Sequence, residues 1–317
     1  MQHAMQKKRG GPFWTVVLVV VTIAGLVVAL STYSVGRSRS ETGHLFGNTA
    51  TEDRVDLGIW IGKIDPATQT ATVEVLAQPR GALADKSGFF TKDALVYTSA
   101  LKADPIKIKA GEPISAAEVK VVVEGTITDY PFDSYQALLA FDVYSDDQRL
   151  PVAATVTSGD TLFELAESPQ PGVEAGIDIT VHATRSLPTL VFALFIMMLM
   201  LGLALAAATA CFYVLKGRRG LMFPACSMMG ALLFALVPLR NAVPGSPPIG
   251  SVIDFASFFL AEGIISAALV GSVVIGYRVE VAKEREEERK RAQADLERQQ
   301  AMRQQQYGDP YRMPTHR

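Results

Sequence analysis

Two carboxylates stand in an otherwise apolar stretch near the end of the chain: Asp254 and Glu262, both between Ile249 and Tyr277. On a helix that spacing is about two turns. An ionised acid among lipid tails costs about 2.5 kcal/mol or more, so Glu262 has to face protein or water. Two roles are open to it: an ion or proton ligand, or a neutral acid that hydrogen-bonds between helices or is offset by Arg240. Asp254 lies nearer the apolar boundary, where water could reach it.

A second constellation combines Tyr130-Pro131-Phe132-Asp133-Ser134-Tyr135 with Arg185, which stands just before an apolar run. A carboxylate and a guanidinium at that junction can form a forked ion pair and clamp a soluble layer onto helices; the alternative is an ordinary proline turn and an ordinary interfacial arginine. A third cluster is the polar, proline-rich break Arg240, Asn241, Pro244, Pro247 and Pro248. Enzyme chemistry is not visible. His3, His44, His182 and His316 are scattered without the Cys or carboxylate spacing that closes around zinc, and neither a nucleophile elbow nor a phosphate-cradling glycine loop occurs. No catalytic, cofactor or metal residues are therefore expected, and the chain reads as a non-enzyme.

The elements that must position these residues are set by hydropathy. Four apolar stretches, 13–35, 187–215, 221–240 and 249–277, are each long enough to cross a hydrocarbon core about 30 Å thick. The first exceeds the signal-peptide apolar region of about 7 to 15 residues, so an uncleaved anchor is expected, with cleavage near Ala29-Leu30-Ser31 as the alternative. Lys7, Lys8 and Arg9 precede it, Lys216, Arg218 and Arg219 follow the second stretch, and Arg278, Lys283 and Arg285 follow the fourth. By the positive-inside rule those segments, and both termini, are cytoplasmic. Residues 36–186 and the Pro244–Pro248 loop then face outward from the plasma membrane.

The outward part carries 22 acidic against 13 basic side chains and no cysteine. Such a surface repels phosphate backbones, which argues against nucleic acid, and its fold must stand on a core without disulfides. Alternation with period two marks Thr70–Leu76, Glu118–Glu124 and Gly176–His182, and further strands are expected at Val55–Ile64, Ala94–Ala100, Tyr135–Tyr144, Val152–Thr157 and Thr161–Leu165. Many short strands with turn residues between them favour an antiparallel sandwich over 55–186. Residues 36–54, rich in Ser, Thr, Gly and charge, read as a tether after a short cytoplasmic segment 1–12. Past Tyr277 the last span is expected to continue as a charged cytoplasmic helix to about Gln306 within a 278–317 tail, with Glu286–Lys290 and Glu287–Arg291 in the favourable i, i+4 order. Small residues every four positions, Gly202, Ala206 and Ala210, then Gly263, Ala267 and Gly271, suit close helix packing within or between chains.

The whole is an α+β membrane protein: an extracytoplasmic β-sandwich on a four-helix transmembrane region. Its Tyr130-Pro-Phe-Asp133 loop, the Pro238–Gly250 segment, Asp254-Phe255 and the order of one span, soluble domain and three spans resemble the bacterial membrane proteins of domain-of-unknown-function family 4436. That resemblance implies a membrane protein and no activity. Pro131, Phe132, Asp133, Arg185 and the direction of the last three spans are also similar to pentameric ligand-gated ion channels. In those channels, this resemblance implies, the acid and the arginine couple ligand binding to a pore lined by the helix corresponding to 221–240. Against conduction, Leu221–Leu239 offers only Cys226 and Ser227 as polar or near-polar choices, and no aromatic ligand box is evident. The expected function is a cell-envelope protein whose outer sandwich binds a protein or an envelope component, with membrane lipid and a protein partner or further copies of the chain as partners. The alternative is a channel-like, ligand-gated oligomer coupled through Asp133 and Arg185.

Overall fold

The computed structural model describes residues 43–47, 49–102, 104–169, 176–216 and 223–306 of the 317. The expected first span 13–35 with its basic flank, Arg218 and Arg219, and the tail past 306 lie outside the described residues. The described chain divides into two units: one holds all the strands, the start of the first helix and the segment Ala242–Phe255, and the other holds the rest of the helices.

Twelve strands form two sheets among the described residues. One sheet runs in the order β1 (His44–Gly47), β10 (Val152–Ser158), β2 (Val55–Asp65), β3 (Thr70–Pro79), β6 (Ala117–Val122). The other runs β11 (Phe163–Pro169), β12 (Ile177–Arg185), β8 (Ser134–Ser145), β4 (Ala94–Thr98), β5 (Ile106–Ile108), with β7 (Glu124–Gly125) and β9 (Gln148–Leu150) also on β8. Pairing is antiparallel except for β10 on β2, which is parallel.

The alternating pattern does what period two requires. Along β2, Val55, Leu57, Ile59 and Ile61 are buried while Asp56, Gly58 and Trp60 take the other face. After Ile61 the register slips by one residue against β3. This bulge at Gly62 resets the parity, so that Ile64 is buried although it stands three positions after Ile61. The Asp160 carboxylate fixes the corner by accepting from the Ile64 and Leu162 backbone N–H groups at 2.7 and 2.8 Å. Both sheets feed one contiguous core, with Leu57, Val73, Leu139, Phe141, Val156 and Ile179 among its members. The stretch expected to be a tether contains a strand: β1 pairs with β10 at the sheet edge, because Leu45 and Phe46 alternate outward and inward like any strand residues.

Three helices follow: α1 (Leu187–Lys216), α2 (Phe223–Asn241) and α3 (Phe259–Gln306), the last preceded by one wide turn at Asp254–Phe258. All three are long and apolar enough to span a membrane. Large apolar side chains such as Phe195, Leu205 and Phe234 are exposed along α1 and α2, as suits helices whose surroundings are themselves apolar. Beyond Tyr277 α3 continues without a break as a charged helix, and both anticipated ion pairs form on it, Glu286–Lys290 at 2.8 Å and Glu287–Arg291 at 3.8 Å.

Adjacent leucines on β8 test the core assignment. Leu139 is buried and Leu138 is half exposed on the opposite face. Leu139→Ala should lower the stability of the β module by about 2–5 kcal/mol and Leu138→Ala by about 0.5 kcal/mol or less, read as the shift in its urea midpoint.

Candidate functional site

The register of β8 against β12 decides which side chains meet at the end of the second sheet. Thr184 lies opposite Ser134, so Arg185, the last residue of β12, falls opposite Asp133, the residue before β8. The pair forms: Arg185 Nε donates to Asp133 Oδ1 at 2.9 Å and Nη2 donates to Oδ2 at 2.8 Å, with both side chains almost wholly buried, 2% and 0% exposed. Tyr135, two residues along β8 and therefore on the same face, donates its hydroxyl to Asp133 Oδ2 at 2.7 Å. Burial, then the neighbouring Asp133 carboxylate, push the Tyr135 phenol above its ordinary value, so it remains a protonated donor.

Aromatic rings complete the enclosure. The Arg185 guanidinium carbon lies 4.2 Å from the centre of the Phe163 ring and 5.0 Å from that of Tyr130. Phe163 is there because it is the β11 residue paired with Arg185, and it packs edge-on against Tyr135. Pro131 follows Tyr130 through a cis peptide bond and is buried, whereas Phe132 points outward and is 62% exposed. Arg185 Nη1 is buried and has no hydrogen-bond partner among the described residues.

The loop after α2 meets that nitrogen. Gly245 adopts φ +82, and a Cβ built on it would stand 2.8 Å from Arg185 Nη1, so only glycine permits this approach of backbone to guanidinium. In the same loop Pro247 is buried, Pro244 half-buried and Pro248 exposed. Ser251 Oγ donates to the Pro248 carbonyl at 2.6 Å, and the Gly250 and Ser251 N–H groups donate to Asp254 Oδ2 at 2.7 and 3.2 Å. Asp254, which the sequence left open to water at the boundary, is 1% exposed, its carboxylate turned onto the backbone that leads into α3.

The structure thus brings together Tyr130, Asp133 and Arg185 and sets the Gly245 loop against them. It does not add the remaining candidates to that cluster: Glu262 is half-buried on α3, Arg240 is buried at the end of α2, and Asn241 is exposed, all in the helical unit. Tyr135 closed the 130–135 motif read from the sequence, but Phe163 and Gly245 were not singled out there. Phe163 needed the β11–β12 register and Gly245 needed the loop conformation. What remains is an ion-pair and cation–π lock without a nucleophile or general base aimed at open space. Among the described residues no group of three or more His, Cys, Asp or Glu side chains is placed to hold a metal ion.

Comparison with known families divides the chain at this same point. Residues 45–183 match the family described as Domain of unknown function (DUF4436), and residues 185–279 match a second described as Domain of unknown function (DUF8686). No curated protein matches the chain. Asp133 lies in the first match, and Arg185 is the first residue of the second.

Removing one member of the pair leaves the other charge buried and alone. Arg185→Gln and Asp133→Asn should each destabilise the β module by about 3–5 kcal/mol, while the apolar double replacement Asp133→Leu with Arg185→Met should recover most of that loss; urea unfolding of the three variants measures both effects.

Proposed function

We propose that this chain, a member of the DUF4436 family through residues 45–183 and of the DUF8686 family through residues 185–279, is a non-enzymatic integral membrane protein of the cell envelope. In this reading the two sheets stack as an outer sandwich that binds a protein or an envelope component, and the helices, with the 13–35 span as a fourth, anchor it. The observation that carries the reading is continuity: β12 ends at Arg185 and the apolar α1 begins at Leu187, so only Ser186 separates a folded β module from a membrane-length helix. A module held that close to its anchor is displayed at the bilayer surface. Basic residues at Lys216, Arg278, Lys283 and Arg285 favour both tails inside and the module outside.

A channel-like oligomer is the second reading, and the meeting of Asp133, Arg185 and Gly245 is the observation in its favour: an ion pair touching the α2–α3 loop is a means of coupling a ligand-binding layer to helices. The apolar lining that α2 would offer a pore weighs against it.

Protease added to intact spheroplasts should cleave the β module and spare both tails; a protected module with trimmed tails overturns the topology. Crosslinking in cells should capture a partner that is lost on deletion of 55–183 and kept in Glu262→Gln, and capture of nothing counts against the binding reading. A ring of identical subunits by native mass spectrometry, with liposome ion flux altered by Arg185→Gln, favours the channel; a monomer or dimer without flux eliminates it.

A further inference from the structure

The outer face of the five-stranded sheet carries a groove of about 250 Å³. Its floor follows from two cross-strand rows. In one, Leu45, Thr155, Gly58 and Leu76 lie side by side across β1, β10, β2 and β3; in the next, Gly47, Ala153, Asp56 and Gln78 do the same. Gly58 and Ala153 at the centre have little or no side chain, so the middle of the sheet is a trough between the flanking side chains. A Cβ built on Gly58 would find its nearest neighbour, Leu76 Cβ, at 3.8 Å, which is ordinary contact with room to spare.

One end of the trough is charged. Asp56 accepts from Arg54 Nε through Oδ1 and from Arg80 Nε through Oδ2, each at 2.7 Å. Arg54 is further fixed by donating from Nη1 to the Thr49 and Thr51 carbonyls at 3.1 and 2.9 Å. Burial pulls the Asp56 carboxyl upward, but hydrogen bonds from Arg54 and Arg80 outweigh it and hold it below the ordinary carboxylate value, so it is ionised at neutral pH. Two guanidiniums and one carboxylate are the ionised side chains of the lining, leaving one positive charge on a module whose balance is otherwise acidic. Asp53, nearby in sequence, is spent on the Ala82 N–H at 2.6 Å.

Asp56 engages only the Nε side of Arg80. The outer Nη1/Nη2 edge of that guanidinium has no acceptor among the described residues, and the Arg80 side chain is more than half exposed. Two parallel N–H donors on such an edge match the two oxygens of a carboxylate. A single net charge suits a monoanion better than a doubly charged phosphate, and Leu45 and Leu76 along the trough suit a short apolar body.

We propose that this groove binds a small monoanionic carboxylate, its two oxygens forked onto the outer edge of Arg80, its apolar part lying along Gly58 between Leu45 and Leu76. The proposal goes beyond the reading of the β module as one that binds a protein or an envelope component, by assigning it a small-molecule site. Arg54 and Asp56 are positioning residues, since they hold Arg80 in place.

Calorimetric titration of hexanoate, hexanamide and hexyl phosphate into full-length protein in lipid nanodiscs, blanked against empty nanodiscs, tests it. Hexanoate should bind with a dissociation constant of about 1 mM, and the neutral amide and the phosphate at least about tenfold more weakly. Arg80→Gln should weaken hexanoate by about tenfold or more. Gly58→Val, which leaves the arginine pair intact and fills open space, should abolish binding without lowering the melting temperature. Equal binding of hexanoate and hexanamide, hexanoate binding unchanged in Gly58→Val, or no hexanoate heat at about 50 mM would each overturn the proposal. None of those outcomes touches the crosslinking result, so the broader binding reading stands or falls separately.

Discussion

The fold turns on one desolvated ion pair. Placing Asp133 and Arg185 out of water costs several kcal/mol for each charge, and the attraction between them compensates only if the remaining hydrogen-bonding capacity is used well. Here the carboxylate receives the forked guanidinium and a tyrosine hydroxyl, and the guanidinium lies over two ring faces, where the negative quadrupole of each ring favours a cation. An arrangement with so few tolerable alternatives locks the end of β12 against the start of β8. That is the place where the chain leaves the sheets for α1.

The same arginine serves both families of sequence to which the chain matches. Asp133 belongs to one match and Arg185 opens the other, and the strand that ends in Arg185 is hydrogen-bonded within the first. A boundary drawn through sequence similarity therefore falls inside a structural element. The space that Gly245 leaves beside Nη1, which a Cβ would fill, extends this interdependence to the loop between α2 and α3, whose compact unit is that of the β module.

Where local pattern governs, the sequence was readable. Alternation located three of the twelve described strands, strand-length apolar runs between turn residues located five more, and apolar length located α1, α2 and the first part of α3. What escaped was whatever depends on partners distant in the chain. The bulge at Gly62 breaks the alternation it follows, β1 and β5 are too short to show a period, and the parallel pairing of β10 with β2 leaves no local trace. The candidate site divides the same way. Asp133 and Arg185 were legible as an acid and a base at a junction, whereas Phe163 and Gly245 enter only through register and backbone conformation. The burial of Asp254 was not legible, because a boundary position says nothing about backbone N–H groups turned toward it.

The unbroken length of α3 sets a distance. From Tyr277 to Gln306 the helix advances about 44 Å at 1.5 Å per residue, with no glycine or proline in that stretch to bend it. A protein that engaged its glutamine-rich tip would stand off from the apolar end by about the length of that helix.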